Sequence, residues 1–554
     1  MAHGPARRFF WRDRPREAPE GATALEALAR DGLPALARSY RYHRPRGPFC
    51  GVGYCAGCLV RVNGVPNQRA CRHVLEEGDR IRNTNGWPSA RFDLFGVIDR
   101  VFPNGIDTLR GFRRPMFLTP LYQRVIRRLA GYGPVPAAPP TALSPPAPLS
   151  VDRDVVVIGA GTSGRAAAAR LVARGLRPLL VDRALRVPEA PGSELLPRTN
   201  VTFLPPPTPG ADPRFQLIGF QEPDRGVVVR ARTVVVATGG YDAGLLFADN
   251  DRPGIFSAEG ALAISASDRS RVFRRAVLVG GGERAGQILD RLSERVTAVV
   301  TPGEIRPEVV RAASDADIPL YPRTLLLGTR GTGRVRGVHL RARGSGPSFR
   351  LGCDAVILAH RRLPNPQLLF QAGAQMSWRS GTGAYYPVLD STLSTTVARL
   401  YAVGTVAGVL SESAAVSGVR AADALAGDPS PASELPRVAE SGPHELDGYY
   451  RELKPWLRSG RPVVCPCEDV LLRDVEAAHE RGYLGVEVVK RYTGLGTGLC
   501  QGRYCLPDAL LLLAILEGRP PSEVGFMTQR PPVVATPLEA LAAIEEPVAA
   551  EASP

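Results

Sequence analysis

Eight of the nine cysteines in this chain fall in two tight quartets, Cys50, Cys55, Cys58 and Cys71 near one end and Cys465, Cys467, Cys500 and Cys505 near the other. Thiols clustered in this way are metal ligands or redox groups wherever the surroundings are reducing, so each quartet fixes a small domain around itself. The first, in FCGVGYCAGCLVRVNGVPNQRAC, reads C-x4-C-x2-C-x12-C. A plant-type [2Fe–2S] site uses C-x4-C-x2-C in a loop around the cluster, with a more distant fourth thiolate. Such a loop must turn several backbone N–H groups inward, and Gly51, Gly53 and Gly57 give it that freedom. The stretch LVRVNGVPNQR alternates about an Asn-Gly turn, which predicts a hairpin that returns Cys71 to the loop. The alternative is a four-Cys zinc site, but zinc motifs usually pair one C-x2-C with another.

The second quartet runs C-x-C in VVCPCEDV and C-x4-C in TGLGTGLCQGRYC, 32 residues apart. Between them the pattern predicts two short helices, the first capped by Asp469 and burying Val470, Leu471, Val475 and Ala478. The result is a small helical unit with ligands in its two end loops, and zinc is again the alternative. Cys353 stands alone beside an apolar strand and reads as a buried core thiol.

A nucleotide-binding core lies between the quartets. RDVVVIGAGTSGRAAAARLVARGLRPLLVDR is a strand, a Gly159-x-Gly161-x-x-Gly164 turn, an Ala-rich helix and a second strand ending at Asp182, followed by Arg183. Gly159 permits the tight turn, Gly161 the approach of a pyrophosphate and Gly164 the packing of helix on strand. The acid, 18 residues after Gly164, is placed for ribose hydroxyls. RTVVVATGGYD adds a strand that breaks at Thr238-Gly239, suited to close approach of a dinucleotide. A second strand, turn and helix carries Gly280, Gly282 and Ala285, but its following strand ends at Thr301 with no acid. Such a turn either holds NAD(P) by its phosphates or is an inherited groove put to other use. Near residue 404 a further strand ends in Gly404-Thr405, before a small-residue helix able to close over a flavin.

Charge and composition exclude several classes. The formal charge of +15 suggests nucleic acid, yet only Lys454 and Lys490 are lysines among 69 cations, and the arginines are dispersed, so no nucleic-acid partner is expected. No G-x-x-x-x-G-K-[ST], H-E-x-x-H or G-x-S-x-G string occurs. No apolar run reaches the roughly 18 residues of a spanning helix. Arg7-Arg8 superficially suggests an export signal, but charged residues rather than an apolar region follow, so a cytoplasmic chain is expected.

These features together resemble the α subunits of the sarcosine oxidase family. The resemblance rests on PRGPFCGVGYCAGC and NGVPNQRAC, on FADNDRPGIF after the ATGG turn, and on CPCEDV, TGLGTGLCQGRYC and TQRPP. The last module is itself similar to bacterioferritin-associated ferredoxin. The chain ends at Pro554 without the folate-dependent domain of the large sarcosine oxidase subunits. It is therefore more similar to the shorter α subunits of hydrogen cyanide synthase, opine oxidase and the proline or hydroxyproline dehydrogenases. The resemblance implies FAD in the core, held by Gly159, Gly161, Gly164, Asp182, Arg183, Thr238, Gly239, Gly404 and Thr405. It also implies two [2Fe–2S] clusters on the two quartets, with NAD(P) or FMN as further cofactors. It implies as partners a substrate-oxidising FAD-dependent β subunit and an external electron acceptor. Two departures touch the flavin. The stretch from Arg183 to Phe203 is short, and no Asp follows Gly404.

The expected fold is multidomain α/β. A β-grasp ferredoxin-like domain occupies residues 1–90, and a connecting segment with a Pro/Ala-rich tether at 134–150 follows. A two-dinucleotide Rossmann-like core spans 151–427, its second nucleotide fold inserted at 265–385. A linker covers 428–457, the helical cluster domain 458–520, and a low-complexity tail the rest. No residue stands out as an acid or base for C–H cleavage. The expected role is electron relay for a partner that oxidises an amine or amino acid. The rivals are a self-contained NAD(P)H-dependent reductase and a zinc-bearing nucleic-acid-binding protein.

Overall fold

The computed structural model describes residues 6–30, 32, 35–101, 117, 119–120, 123, 146–207, 214–266, 272–344, 346–428, 435–438, 448–457 and 461–544. All but the last five residues of the expected tether at 134–150 lie outside the described residues, as does much of the linker at 428–457. The chain divides into two compact units. One takes Met1–Pro139, Asp242–Arg362 and Glu445–Gly525; the other takes Pro140–Tyr241, Leu363–His444 and Phe526–Pro554.

The first unit opens with a five-stranded mixed sheet in the order Arg14–Pro19, Ala6–Trp11, Arg80–Asn83, Leu59–Val62, Val65–Arg69. Only Ala6–Trp11 and Arg80–Asn83 run parallel, which gives the β-grasp pattern. The Asn-Gly hairpin forms as its sequence predicts, with Asn63 and Gly64 both at positive φ between Leu59–Val62 and Val65–Arg69. Helix Ala24–Ala29 starts at a capping box, Thr23 with Glu26, and its Leu25 and Leu28 pack with Phe9, Val60, Val62 and Ile81.

A second sheet in this unit is wholly parallel, in the order Ile255–Ser257, Ala355–Leu358, Ala276–Val279, Val296–Val300, Leu320–Tyr321. It carries the second glycine turn and shares one apolar core with the β-grasp sheet. Between the two cysteine modules this unit takes residues 242–362 of the core. The opening strand of its nucleotide fold, Ile255–Ser257, is only three residues long and too short to show a period. The helical module follows, with the short pair Val463–Cys465 and Val470–Leu471, then helices Leu472–Glu480, Val486–Thr493 and Leu506–Glu517. Val470, Leu471, Val475 and Ala478 are buried as expected, but Asp469 is no cap. Asp474 accepts from the Leu471 N–H instead, while Asp469, at φ 52, turns its carboxylate to Arg46 and the Arg41 and Tyr42 backbone.

The other unit is built on a seven-stranded sheet. Its path runs Glu194–Leu196, Leu179–Val181, Leu149–Ile158, Arg225–Val236, Phe215–Gln221, Thr199–Phe203, with Leu400–Ala402 also pairing to Arg225–Val236. Strands Leu179–Val181, Leu149–Ile158, Arg225–Val236 and Leu400–Ala402 run parallel, the arrangement of a dinucleotide fold. Helix Thr162–Ala173 packs on helix Ala414–Leu425, where Gly418 lets the two backbones touch. In the expected tail, helix Leu538–Ala542 lies on this sheet, and a Cβ at Gly226 would meet the Ala540 carbonyl at 2.6 Å. No helix among the described residues is long and apolar enough to cross a membrane.

Candidate functional site

Cys50, Cys55 and Cys58 sit in a loop between strand Pro45–Arg46 and the hairpin, and Cys71 follows the hairpin. All four thiols are buried. The N–H groups of Tyr54 and Cys55 point at Cys50 Sγ, at 3.2 and 3.3 Å, and that of Gly57 points at Cys55 Sγ, at 3.4 Å. Gly51 and Gly53, at φ 65 and 87, let the loop turn those groups inward. Cys71 stands 3.5 Å from Cys58, sulfur to sulfur, so the hairpin does bring the distant cysteine to the loop. Hydrogen bonding to Cys55, together with burial, pushes the Cys50 thiol well up. Hydrogen bonding to Cys58 does the same to Cys71. The partner of the first pair goes the other way, Cys55 being lowered by its bond to Cys50.

In the second quartet the thiols are likewise linked to one another. Cys465 is held well below the usual thiol range by Cys467 and Cys505, and Cys500 is lowered by Cys467. Cys467 and Cys505 are raised well above it, each by the bond to Cys465 before burial. The two end loops that carry these thiols are joined by the helices Leu472–Glu480 and Val486–Thr493.

Among the described residues, no three His, Cys, Asp or Glu side chains converge as ligands of one ion. The sulfurs are linked to one another instead, Cys50 with Cys55 and Cys58 with Cys71 in the first quartet, and Cys465 with both Cys467 and Cys505, and Cys467 with Cys500, in the second. Four thiolates divided over two metal atoms is the donor set of a [2Fe–2S] cluster, and inward N–H groups answer the charge on its sulfurs. The residues present fit such a cluster at each quartet. Cys353 lies apart, its thiol pushed up to about 12 by burial, with Asp354 adding to it.

The first glycine turn shows a division of labour. Gly159 is at φ 110, and a Cβ there would stand 2.3 Å from the Ala237 carbonyl oxygen; one on Gly164 would press on Gly159 itself, while Gly161 faces open space. Gly161 is also the N-cap of helix Thr162–Ala173 and makes no side-chain cap, which leaves the first N–H groups for a phosphate. Asp182 accepts from the Ala160 and Ala184 N–H groups, both at 2.6 Å, and its remaining lone pairs are available to ribose hydroxyls. Arg183 follows it, half-buried.

Thr238 Oγ1 donates to the Asn365 carbonyl at 2.9 Å, and Gly239, at φ 65, faces open space. Gly404, at φ 72, donates its N–H to Ser417 Oγ at 2.9 Å, so the turn and the small-residue helix are tied together. A Cβ on Gly404 would lie 2.2 Å from Ser163 Oγ, and the Thr405 methyl is close to Gly240. Gly159, Gly161, Gly164, Asp182, Arg183, Thr238, Gly239, Gly404 and Thr405 thus all belong to one unit.

Gly280, Gly282 and Ala285 lie in the other unit. There Gly280, at φ 142, crowds the Ala359 carbonyl, Gly282 caps helix Glu283–Leu292 with open space before it, and Ala285 is buried. The position after the next strand is the fully buried Thr301.

Sequence reasoning missed a buried ion network beside the quartets. Arg46 donates to Asp251 and Asp469, and Arg44 donates to Asp251 at 2.8 Å and Asp249 at 3.1 Å. Burial alone would lower the Arg46 guanidinium, but Asp251 and Asp469 hold it above its ordinary value. These residues lie in RPRGPFC, FADNDRPGIF and CPCEDV, and nothing in the three strings says that they meet.

Two family models match, a 2Fe-2S iron-sulfur cluster binding domain at residues 8–86 and the sarcosine oxidase A3 domain at 459–545. The sarcosine oxidase subunit alpha of Rhizobium meliloti is 29% identical over 94% of this chain, and the chain spans only 56% of that relative's length. Hydrogen cyanide synthase subunit HcnA of Pseudomonas aeruginosa is 40% identical over 14% of this chain and 71% of its own length. Among solved structures, L-proline dehydrogenase of P. horikoshii shares the fold, with a TM-score of 0.69 at 19% identity over 98% of both chains.

Proposed function

The chain belongs to the family of the sarcosine oxidase α subunits and hydrogen cyanide synthase subunit HcnA, and on that premise we propose that it is the iron–sulfur flavoprotein subunit of a heteromeric dehydrogenase acting on amines or amino acids. The observation that carries this reading is the presence of two buried cysteine quartets on the same chain as a dinucleotide turn.

In this reading Cys50, Cys55, Cys58 and Cys71 hold one [2Fe–2S] cluster and Cys465, Cys467, Cys500 and Cys505 the other. FAD is held by the Gly159, Gly161 and Gly164 turn, Asp182, Arg183, Thr238, Gly239, Gly404 and Thr405. When bound, the flavin supplies two-electron chemistry and the clusters one-electron chemistry, so a pair taken from a substrate can leave singly. The chain's own part is to place and shield. The quartet loops exclude water and turn N–H groups to sulfur, and the open N-terminus at Gly161 receives phosphate charge. No side chain is assigned as acid or base toward a C–H bond, and that step belongs to the substrate-oxidising FAD-dependent β subunit. Electrons then leave to an external acceptor.

An anaerobic visible spectrum with iron, sulfide and flavin analysis tests this. About four iron per chain and one flavin are expected; a colourless preparation containing zinc overturns it. The open space at Gly282 favours a second reading, an NAD(P)H-dependent reductase, in which NAD(P) binds by its phosphates alone. Stopped-flow reduction of the chain by NADH or NADPH supports that reading, and no reduction overturns it.

A further inference from the structure

The spacing of neither quartet says where the other lies, and the chain between Cys71 and Cys465 traverses both nucleotide folds. Yet the two cysteine loops meet within one compact unit. Phe49, the residue before Cys50, touches Tyr504, the residue before Cys505, edge to face with ring centroids 4.9 Å apart. Arg69, just ahead of Cys71, donates from Nε to the Cys55 carbonyl at 3.3 Å and from Nη2 to the Leu499 carbonyl at 3.2 Å. Leu499 precedes Cys500, so a single guanidinium spans both loops. The Arg503 guanidinium lies over the ring of Tyr54, which precedes Cys55, at 5.0 Å. One cavity is lined by Cys55 of the first quartet and Cys467 of the second.

The Phe49–Tyr504, Arg69–Leu499 and Arg503–Tyr54 contacts each join a neighbour of a thiol in one quartet to a neighbour of a thiol in the other. Two metal-stabilised modules that merely shared a chain would have no such lacing at their ligand loops. We infer that the two quartets form a single two-centre site, at which clusters held by the two loops would exchange an electron directly across the Phe49–Tyr504 contact. Arg69 is a positioning residue that fixes the gap. Such an exchange would oxidise one centre by one electron and reduce the other by one, with no bond formed or broken and no proton moved. The electron originates from reduced flavin and leaves to a one-electron acceptor. Electron tunnelling falls off exponentially with the gap, so tying the loops together acts on the rate directly.

The inference rests on the reading that both quartets hold [2Fe–2S] clusters, and electron paramagnetic resonance of the full-length holoprotein, titrated with dithionite, separates the two claims. Two paramagnetic clusters on loops in direct contact are expected to broaden or split each other's signals and relax faster. The microwave power that half-saturates the first cluster's signal is expected to rise severalfold between partial and full reduction. That rise is expected to vanish in Cys465→Ser, which lacks the second cluster. Iron at about two per chain overturns the two-cluster reading itself. Iron at about four with two additive, non-interacting signals overturns the inference alone. Arg69→Met is expected to keep its iron and weaken the interaction, with Arg69→Lys restoring part of it. Unchanged interaction in both Arg69→Met and Tyr504→Leu overturns the assigned roles. Should Arg69→Met fail to load, Phe49→Leu and the wild-type saturation curve still decide.

Discussion

A Cβ placed on Gly164 would stand 1.8 Å from the carbonyl oxygen of Gly159, the residue that opens the same turn. The turn closes only because position 164 has no side chain. Gly161 differs, since a Cβ there meets nothing within 4 Å and its φ of −70 suits any residue. Gly164→Ala must therefore push helix from strand, at a cost of about 1–3 kcal/mol or more. It is expected to lower the melting temperature and to purify without flavin. Gly161→Ala is expected to melt like the wild type while its flavin affinity falls at least about tenfold, a Cβ occupying the approach of the pyrophosphate. Equal flavin content in the wild type and Gly161→Ala would remove the dinucleotide from this groove.

The contrast between those two glycines was legible in the sequence, because strand, triplet, helix and acid come in order within one local stretch. The hairpin at Asn63-Gly64 was legible for the same reason. Asp469 was not. Its place before a helix suggests a cap, and its actual partners Arg41, Tyr42 and Arg46 are more than 400 positions away, visible only once the chain is folded. The opening strand of the second nucleotide fold, Ile255–Ser257, is three residues long, too short for any period to mark it. Local chemistry could be read from one stretch of chain; the joining of the two cysteine loops through Arg69 and Tyr504 could not.

Arg46 is buried between Asp251 and Asp469, two carboxylates from different segments of the chain. Arg46→Met leaves both buried with fewer cations. Removing one partner of such a pair typically costs about 3–5 kcal/mol. Arg44 still reaches Asp251, so the lower end of that range is expected. Adding Asp469→Asn removes one stranded charge, and the double variant is expected to be more stable than Arg46→Met alone. Urea unfolding of the two variants checks this; a double variant less stable than Arg46→Met would mean that Asp469 is held by the Arg41 and Tyr42 N–H groups alone.

Cysteine substitutions separate ligand from core thiol. Cys58→Ser is expected to lose about two of about four iron and to keep the second cluster's signal. Cys353→Ala is expected to keep all the iron, because that thiol sits apart from both quartets and its high value reflects burial first. Iron loss in Cys353→Ala would make it a ligand and break the assignment of one of the eight.

Asp508 and Arg361 form a buried ion pair at 2.6 Å, with both side chains under one-tenth exposed. Burial nevertheless wins over the guanidinium, lifting the carboxyl from its ordinary 3.8 to about 6. The folded state then holds a proton that the unfolded state has lost in the window between those values. The contribution of this group to stability is therefore complete below about pH 4, falls as pH rises, and levels off above about pH 6. A rise of that size in the folded state corresponds to at most about 3 kcal/mol. Other carboxylates titrate in the same window, so the comparison must be with Asp508→Asn, which carries no proton to lose. Relative to the wild type, that variant is expected to gain up to about 3 kcal/mol between pH 4 and pH 7 in urea unfolding. A wild type that gained on the variant as pH rose would mean that Arg361 outweighs burial, and that the pair forms because the two charges attract rather than in spite of what burying them costs.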